Sequence, residues 1–594
     1  MKKLFLATCC LLLLSFTREN IPEPGSYFSP CDIEIDQESR QLFIAGQTAH
    51  EVRAYKSDEL DSFKSFFTDL PPKAIKIAGD NLLVACSHSE GEVLILDKFS
   101  LKRKATIKVG HGACDIAVSG DLSRAYIANQ FSNDISVIDL HKRKELKRYP
   151  VLRQPMQVSV SNDGQHLFVA NFLPEGRADV DTVCAKVSII DLRSEKIVKH
   201  ISLANGSNAL RGMCLSADGK YLIITHNLGR FQVPTTQLEQ GWMNTSALSV
   251  IDAQSLEFEA TILLDEPEFG APGSWGIDCN PDYIFVAHSG THDFSRIEYD
   301  AFIAKLEHHE NKASLAYDLN FLSGFRERIR LEGNGPRAIT WANDKLYVAN
   351  YFSDNINILD PGKPSQDPIN NIMLGDNTEL DEVRMGEIYF NDATYCFQSW
   401  QSCNGCHPNE ARVDALNWDL LNDGMGNPKN CKSMLLAHLT PPSMVSGIRP
   451  DAEKAVRAGF EHIQFTRVDE DISSAVDAYL LSLEAIPSPS LVNGKLSPSA
   501  KKGKQIFEQI GCGECHPAPL FTDLKQHTMG LQGPFDHQNT WDTPSLIEVW
   551  RTGPYLHDGR SANLKEVFSV EKHGMEKQIS DQELEWLLAY VLSL

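Results

Sequence analysis

Two short runs of the chain have the residue types and spacing to do chemistry. Cys403-Asn-Gly-Cys406-His407 and Cys512-Gly-Glu-Cys515-His516 each set two thiols one helical turn apart, with an imidazole directly after the second. That spacing lets the thiols form thioether bonds to the two vinyl groups of a haem while the adjacent histidine becomes the proximal iron ligand. With 14 cysteines and 19 histidines in 594 residues, one such run arises by chance roughly 0.01 times per chain. Two in parallel surroundings are not accidental. A zinc ribbon separates its paired cysteines by about 15 to 20 residues, and far more intervene here. A thioredoxin-like dithiol needs a strand–helix–strand setting that neither run has. The expectation is two covalently attached c-type haems held by Cys403, Cys406, His407, Cys512, Cys515 and His516.

Both runs sit in duplicated surroundings. Gly386-Glu-Ile-Tyr-Phe390 precedes the first and Gly503-Lys-Gln-Ile-Phe507 the second. Apolar residues recur at helical spacing over 380–390 and 472–483. The Pro/Ser-rich stretch 486–498 reads as the linker between the two copies. Two mostly α-helical, cytochrome c-like domains are expected, over 375–487 and 499–594.

The rest of the chain follows another rhythm. A β-rich phrase recurs seven times: Leu42-Phe-Ile-Ala-Gly46, Leu82-Leu-Val-Ala-Cys86, Ala125-Tyr-Ile-Ala-Asn129, Leu167-Phe-Val-Ala-Asn171, Leu222-Ile-Ile-Thr-His226, Ile284-Phe-Val-Ala-His288 and Leu346-Tyr-Val-Ala-Asn350. Several copies are followed by a second strand ending in Asp, as in Ile135-Ser-Val-Ile-Asp139. Polar turns such as Asn162-Asp-Gly164 supply the hairpin connections. A hairpin cannot bury its own apolar face, and a period of about 40 to 60 residues suits four-stranded blades set radially. On these phrases the segment resembles the YVTN-type β-propellers. A seven-bladed β-propeller over 24–362 is expected, ending near Pro361-Gly-Lys-Pro364. His226 and His288 fall at equivalent repeat positions: either they meet at one end of the central channel, or they are satisfied polar residues at strand ends.

The C-terminal run Asp542-Thr-Pro-Ser-Leu546, then Val549-Trp-Arg-Thr-Gly-Pro-Tyr-Leu-His-Asp-Gly-Arg560 and Leu564, resembles the signature of bacterial di-haem cytochrome c peroxidases and MauG-like proteins. The whole arrangement is similar to YVTN-propeller proteins with an appended di-haem tail. The resemblance implies one haem with an open site where hydrogen peroxide is reduced and another that passes electrons in. It also admits a calcium ion at the inter-domain interface. The family's Trp-Asp-Gly-Arg phrase is missing from the first half, where Ile448-Arg-Pro-Asp451 stands instead, and Trp418 is either a substitute relay or packing. Acid/base candidates beside the first haem are His438, Glu461 and His462. The family's methionine ligand, counted from Leu564, falls on Glu571, a poor haem ligand. His573 and Met575 are the nearest replacements for a sixth ligand, Met529 is more distant, and an open site is the alternative. His557 and Asp558 match the family phrase and read as a structural turn.

Composition bounds the rest. Hydrophobic residues are 42% and charged residues 23%, ordinary for a folded globular chain. Lys2 and Lys3 followed by an apolar run to Phe16 read as a secretory signal over 1–19, which places the chain in the periplasm or outside the cell. Cys9 offers a lipid-anchored alternative. No later stretch is long and apolar enough for a transmembrane span. A net charge of −23 opposes nucleic acid and favours a cationic redox partner protein, such as a small basic cytochrome. Cys31, Cys86, Cys114, Cys184, Cys214 and Cys279 read as small buried apolar residues, and Cys396 with Cys431 form a possible pair.

Overall fold

A computed structural model describes residues 25–57, 59–232, 243–363, 369–375, 379–420 and 426–594. The expected signal over 1–19, with Cys9, lies outside them. Seven four-stranded antiparallel sheets follow one another from Pro30 to Met373, each built from one contiguous stretch of chain. This is the seven-bladed propeller. The recurring phrase forms the second strand of every blade, for example Arg124–Asn129 and Lys345–Asn350. Neighbouring blades cover both faces of that strand, so it reads as a continuous apolar run rather than an alternation.

The polar residue that closes the phrase has a repeated task. Asn129, Asn171, His226 and His288 each reach a serine on the third strand, at 2.8 Å (Ser136), 3.0 Å (Ser188), 2.8 Å (Ser249) and 2.7 Å (Ser295), and Asn350 reaches Asn357 at 2.7 Å. His226 and His288 are therefore fully buried within their blades and bonded through both ring nitrogens. They are satisfied polar residues, not a channel-end pair. Burial holds the His226 imidazole neutral, with its pKa down to about 4.

Carboxylates on the inner strands tie blade to blade. Asp32, Asp115 and Asp278 accept the backbone N–H of Ile75, Val158 and Trp341 in the next blade, at 2.8, 2.7 and 2.7 Å. Among the described residues, no strand is exchanged to close the ring. Instead Asp354 of the last blade accepts the N–H groups of Phe28 and Ser29 at 3.0 and 2.7 Å. The last blade takes its outer strand from Asn370–Met373, beyond the expected end at 362. That strand has four residues, too few to show an alternation.

The helical half contains the same unit twice. Helix Glu382–Asn391 crosses Glu470–Ser482, and helix Pro498–Gln509 crosses Asp581–Val591. At the two crossings, a Cβ on Gly386 would lie 1.8 Å from the Ala475 carbonyl oxygen, and one on Gly503 would lie 1.8 Å from that of Trp586. Glycine is what permits the close approach. Each unit also has a two-stranded hairpin, Asn417–Trp418 with Lys429–Asn430 and Gln526–Thr528 with Thr540–Asp542. Among the described residues, no helix is long and apolar enough to cross a membrane.

Candidate functional site

Cys403–Cys406 and Cys512–Cys515 are single helical turns, so both thiols of each run fall on one side. In both units the histidine that follows points its Nδ1–H at a backbone carbonyl five residues on: His407 to Arg412 at 3.2 Å, His516 to Phe521 at 2.9 Å. That bond favours the tautomer with the proton on Nδ1 and the lone pair on Nε2. Burial keeps both imidazoles neutral, His407 with its pKa down to about 4. Two thiols, an oriented neutral imidazole and an enclosed setting fit a covalently held haem at each run.

The first run is seated on the propeller. Asn244 Nδ2 lies 3.1 Å from Cys406 Sγ, Asn227 Nδ2 donates to the Gly405 carbonyl at 3.2 Å, and Arg211 donates to Asn404 Oδ1 at 3.2 Å. Phe231 and Met243 of the propeller pack with Leu416, Trp418 and Cys406 in one apolar cluster. Trp418 donates to Asp414 at 2.8 Å within that cluster and against Gly229, which is a packing role. Nothing in the sequence signalled these propeller contacts, because they join positions more than 150 residues apart.

The two units exchange backbone bonds in a symmetric manner. Asn430 N donates to the His557 carbonyl at 2.8 Å, and Asp542 N to the Val445 carbonyl at 3.0 Å. His557 is bonded to Asp536 at 2.7 Å and stacked on Trp541 with 3.8 Å between ring centres. Asp558 pairs with Arg560.

The predicted sixth-ligand and acid/base residues are placed very differently. The His573 and His516 ring centres are 6.5 Å apart, with 68° between their planes. His573 Nδ1 is buried without a protein partner, and burial followed by the nearby His516 lowers its pKa to about 4. Met575 is half-buried in the apolar core of the second unit, and Glu571 turns toward Arg560. His438 is buried, with Nε2 bonded to Asp477 at 2.9 Å and Nδ1 unpaired. Glu461 and His462 are exposed at a helix end, Glu461 being bound to Arg467. Cys431 is engaged with the Cys406 carbonyl at 3.1 Å, so Cys396 and Cys431 are not paired. Among the described residues, no group of three or more His, Cys, Asp or Glu side chains is arranged to hold a metal ion, calcium included.

A loop match between the units brings in residues that motif reading missed. Gln464 N and Thr466 N donate to Gly459 O and Phe460 O, both at 3.0 Å; Glu571 N and His573 N donate to Glu566 O and Val567 O, both at 3.1 Å. Phe465 and Lys572, between them, share left-handed φ values of 50° and 55°. Thr466 is therefore the counterpart of His573. Gln464, 3% exposed, donates to Cys403 Sγ at 3.2 Å, and its Oε1 is unpaired.

Residues 27–215 match the YNCE-like beta-propeller family model. The chain is 27% identical over 272 residues to the hydrazine synthase gamma subunit of Kuenenia stuttgartiensis, covering 36% of this chain and 77% of that subunit. It is 21% identical over 284 residues to cytochrome c551 peroxidase of Nitrosomonas europaea, covering 39% of this chain and 84% of the peroxidase. A solved structure of Kuenenia stuttgartiensis hydrazine synthase aligns with a TM-score of 0.53 at 23% identity, over 58% of this chain and 98% of that one. That likeness concerns the fold. The expected resemblance to a β-propeller and to cytochrome peroxidases is borne out at this distant level.

Proposed function

We propose that this protein is an exported di-haem c-type cytochrome whose two haem sites are unequal: the first a ligand-binding reaction site, the second an electron relay. When bound, the haems supply one-electron transfer and an iron that can take an exogenous ligand. The residues set how each site is used. The observation that carries the reading is the His573–Thr466 exchange. The ring centres of His516 and His573 lie 6.5 Å apart, so these two imidazoles would hold the haem iron of the second site. At the matching place in the first unit stands Thr466, a poor haem ligand.

Unequal axial ligation is what separates an electron-entry site from a reaction site. Gln464 is placed to hydrogen-bond a small ligand at the first site, and the propeller residues Asn244, Phe231 and Met243 help close that site from water. The kinship to a cytochrome peroxidase supports hydrogen peroxide as the substrate class. The charge of −23 supports a small basic redox protein as the electron donor.

Electron paramagnetic resonance of the ferric protein tests the assignment. One low-spin and one high-spin signal are expected, with His573→Ala converting the low-spin signal and lowering peroxide turnover. Low-spin signals alone, in both the ferric and the half-reduced protein, with no peroxide turnover, would overturn the reading.

A further inference from the structure

Cys214 and Cys279 lie on neighbouring inner strands of the propeller, Ser207–Leu215 and Ser274–Cys279. Their Sγ atoms are 3.1 Å apart. The inner-strand thiols of two other blades face backbone carbonyls: Cys31 those of Ala45 and Pro72 and Cys114 those of Ala128 and Pro155, at 3.4 to 3.5 Å. The close approach at Cys214 has a local cause. Two residues earlier, Gly212 has no Cβ, and one built there would lie 2.1 Å from the Trp275 carbonyl oxygen. Thr225 donates to that same carbonyl at 2.7 Å. The inner strands of the fifth and sixth blades are thereby drawn together just upstream of the two thiols.

We infer that Cys214 and Cys279 form a disulfide that locks the fifth blade to the sixth. The sulfurs need to close by about 1 Å to reach the covalent length of about 2.05 Å. Both residues are half-buried beside the core of the fifth and sixth blades. In the reaction one thiol attacks the disulfide of a thiol–disulfide oxidoreductase to give a mixed disulfide, and the second thiol displaces the enzyme. The two cysteines lose two protons and two electrons, and the oxidoreductase leaves as its dithiol. The bond closes a span of 65 residues, and long spans lose the most unfolded-state freedom when cross-linked. Between the two blades the contacts at this point are otherwise noncovalent, such as the Thr225 bond to the Trp275 carbonyl, so the link acts where no strand crosses. The inference rests on the export part of the proposed function, because such bonds persist in oxidising compartments.

The experiment uses the full chain, matured in a bacterial periplasm with the haem-attachment machinery. The denatured protein is alkylated without reductant and mapped by peptide mass spectrometry. A Cys214–Cys279 linked peptide, two hydrogens lighter than the separate peptides, is expected. Cys214→Ser should lower the unfolding temperature of the propeller by ~5 °C and leave the haem spectrum unchanged. Haems attached with both cysteines alkylated would overturn the disulfide while leaving the proposed function standing. A chain without haem would count against the proposed function, and the linked peptide would still be read directly. A Cys214→Ser variant with unchanged unfolding temperature would overturn the locking role.

Discussion

Arg412 holds Glu548 with two hydrogen bonds, at 2.9 and 3.0 Å, across the junction of the two helical units. The Arg412 carbonyl is also the acceptor for His407 Nδ1. One residue thus orients His407 of the first unit and binds the second unit. Glu548 is further held by Arg551 at 2.7 Å and accepts the N–H of Ile486 in the linker. Burial alone would raise its pKa, but Arg551 and Arg412 outweigh that and hold it at about 2.

Glu548→Gln should therefore destabilise the helical half by about 3–5 kcal/mol, because it removes the carboxylate bonded to two buried guanidinium groups and leaves them only the more distant charge of Glu410. In the native protein the sign follows from the lowered pKa. The contribution is complete above the ordinary glutamate value of about 4.3 and is lost as pH falls toward about 2. Chemical denaturation followed at the haem bands between pH 7 and pH 3 checks both. A variant as stable as wild type at pH 7 would show that the junction does not depend on this pair.

The matched glycines give a paired prediction. Gly386→Ala and Gly503→Ala each place a methyl group 1.8 Å from a carbonyl oxygen of the crossing helix, which forces the helices apart at a cost of about 1–3 kcal/mol or more. Gly459, in helix Ala452–His462, has nothing within 4 Å of a Cβ position. There, replacement by alanine should stabilise by about 0.5–1 kcal/mol through helix propensity. Urea midpoints of the three variants give the comparison. Equal effects at all three positions would mean that the crossings are not tight.

The propeller was legible because its second strands are covered on both sides, so each copy must keep the same apolar phrase and the period survives in the sequence. The duplication of the helical half was legible from Gly386 and Gly503 for a similar reason, since a close crossing tolerates no other residue. The match of Thr466 to His573 was hidden. Helix Ala452–His462 has 11 residues and its counterpart Leu564–Ser569 has 6, so a fixed count from the cysteine motifs misaligns everything after them. Glu461 and His462 attracted notice by residue type, yet they face solvent at the end of their helix. Nor could spacing reveal Cys214 beside Cys279, because blade-to-blade contacts leave no local pattern.

Thioether attachment predicts a mass effect that separates the two sites. Cys512→Ala should leave the haem at Cys403 and Cys406 in place and remove or weaken attachment at the second run alone. Intact mass spectrometry of the matured chain would show two haem increments for wild type and a fraction with one for the variant. Loss of both haems in Cys512→Ala would mean that the runs are not independent sites.

The sharpest prediction moves the sixth ligand from one unit to the other. The loops at Gln464–Thr466 and Glu571–His573 make the same backbone bonds and share a left-handed middle residue. A histidine placed at 466 should therefore project as His573 does. Thr466→His should turn the high-spin signal of the first haem low-spin and suppress binding of cyanide or peroxide there by at least tenfold, because an internal imidazole competes with the incoming ligand. The reverse change, His573→Thr, should open the second site and raise its midpoint potential, since loss of a basic imidazole destabilises the ferric form. Doing both exchanges the roles of the two sites without altering either attachment run. If Thr466→His leaves the spin state and cyanide affinity of the first haem unchanged, the correspondence between the two loops does not extend to the haem face. Gln464 would then lose its assigned place beside the bound ligand as well.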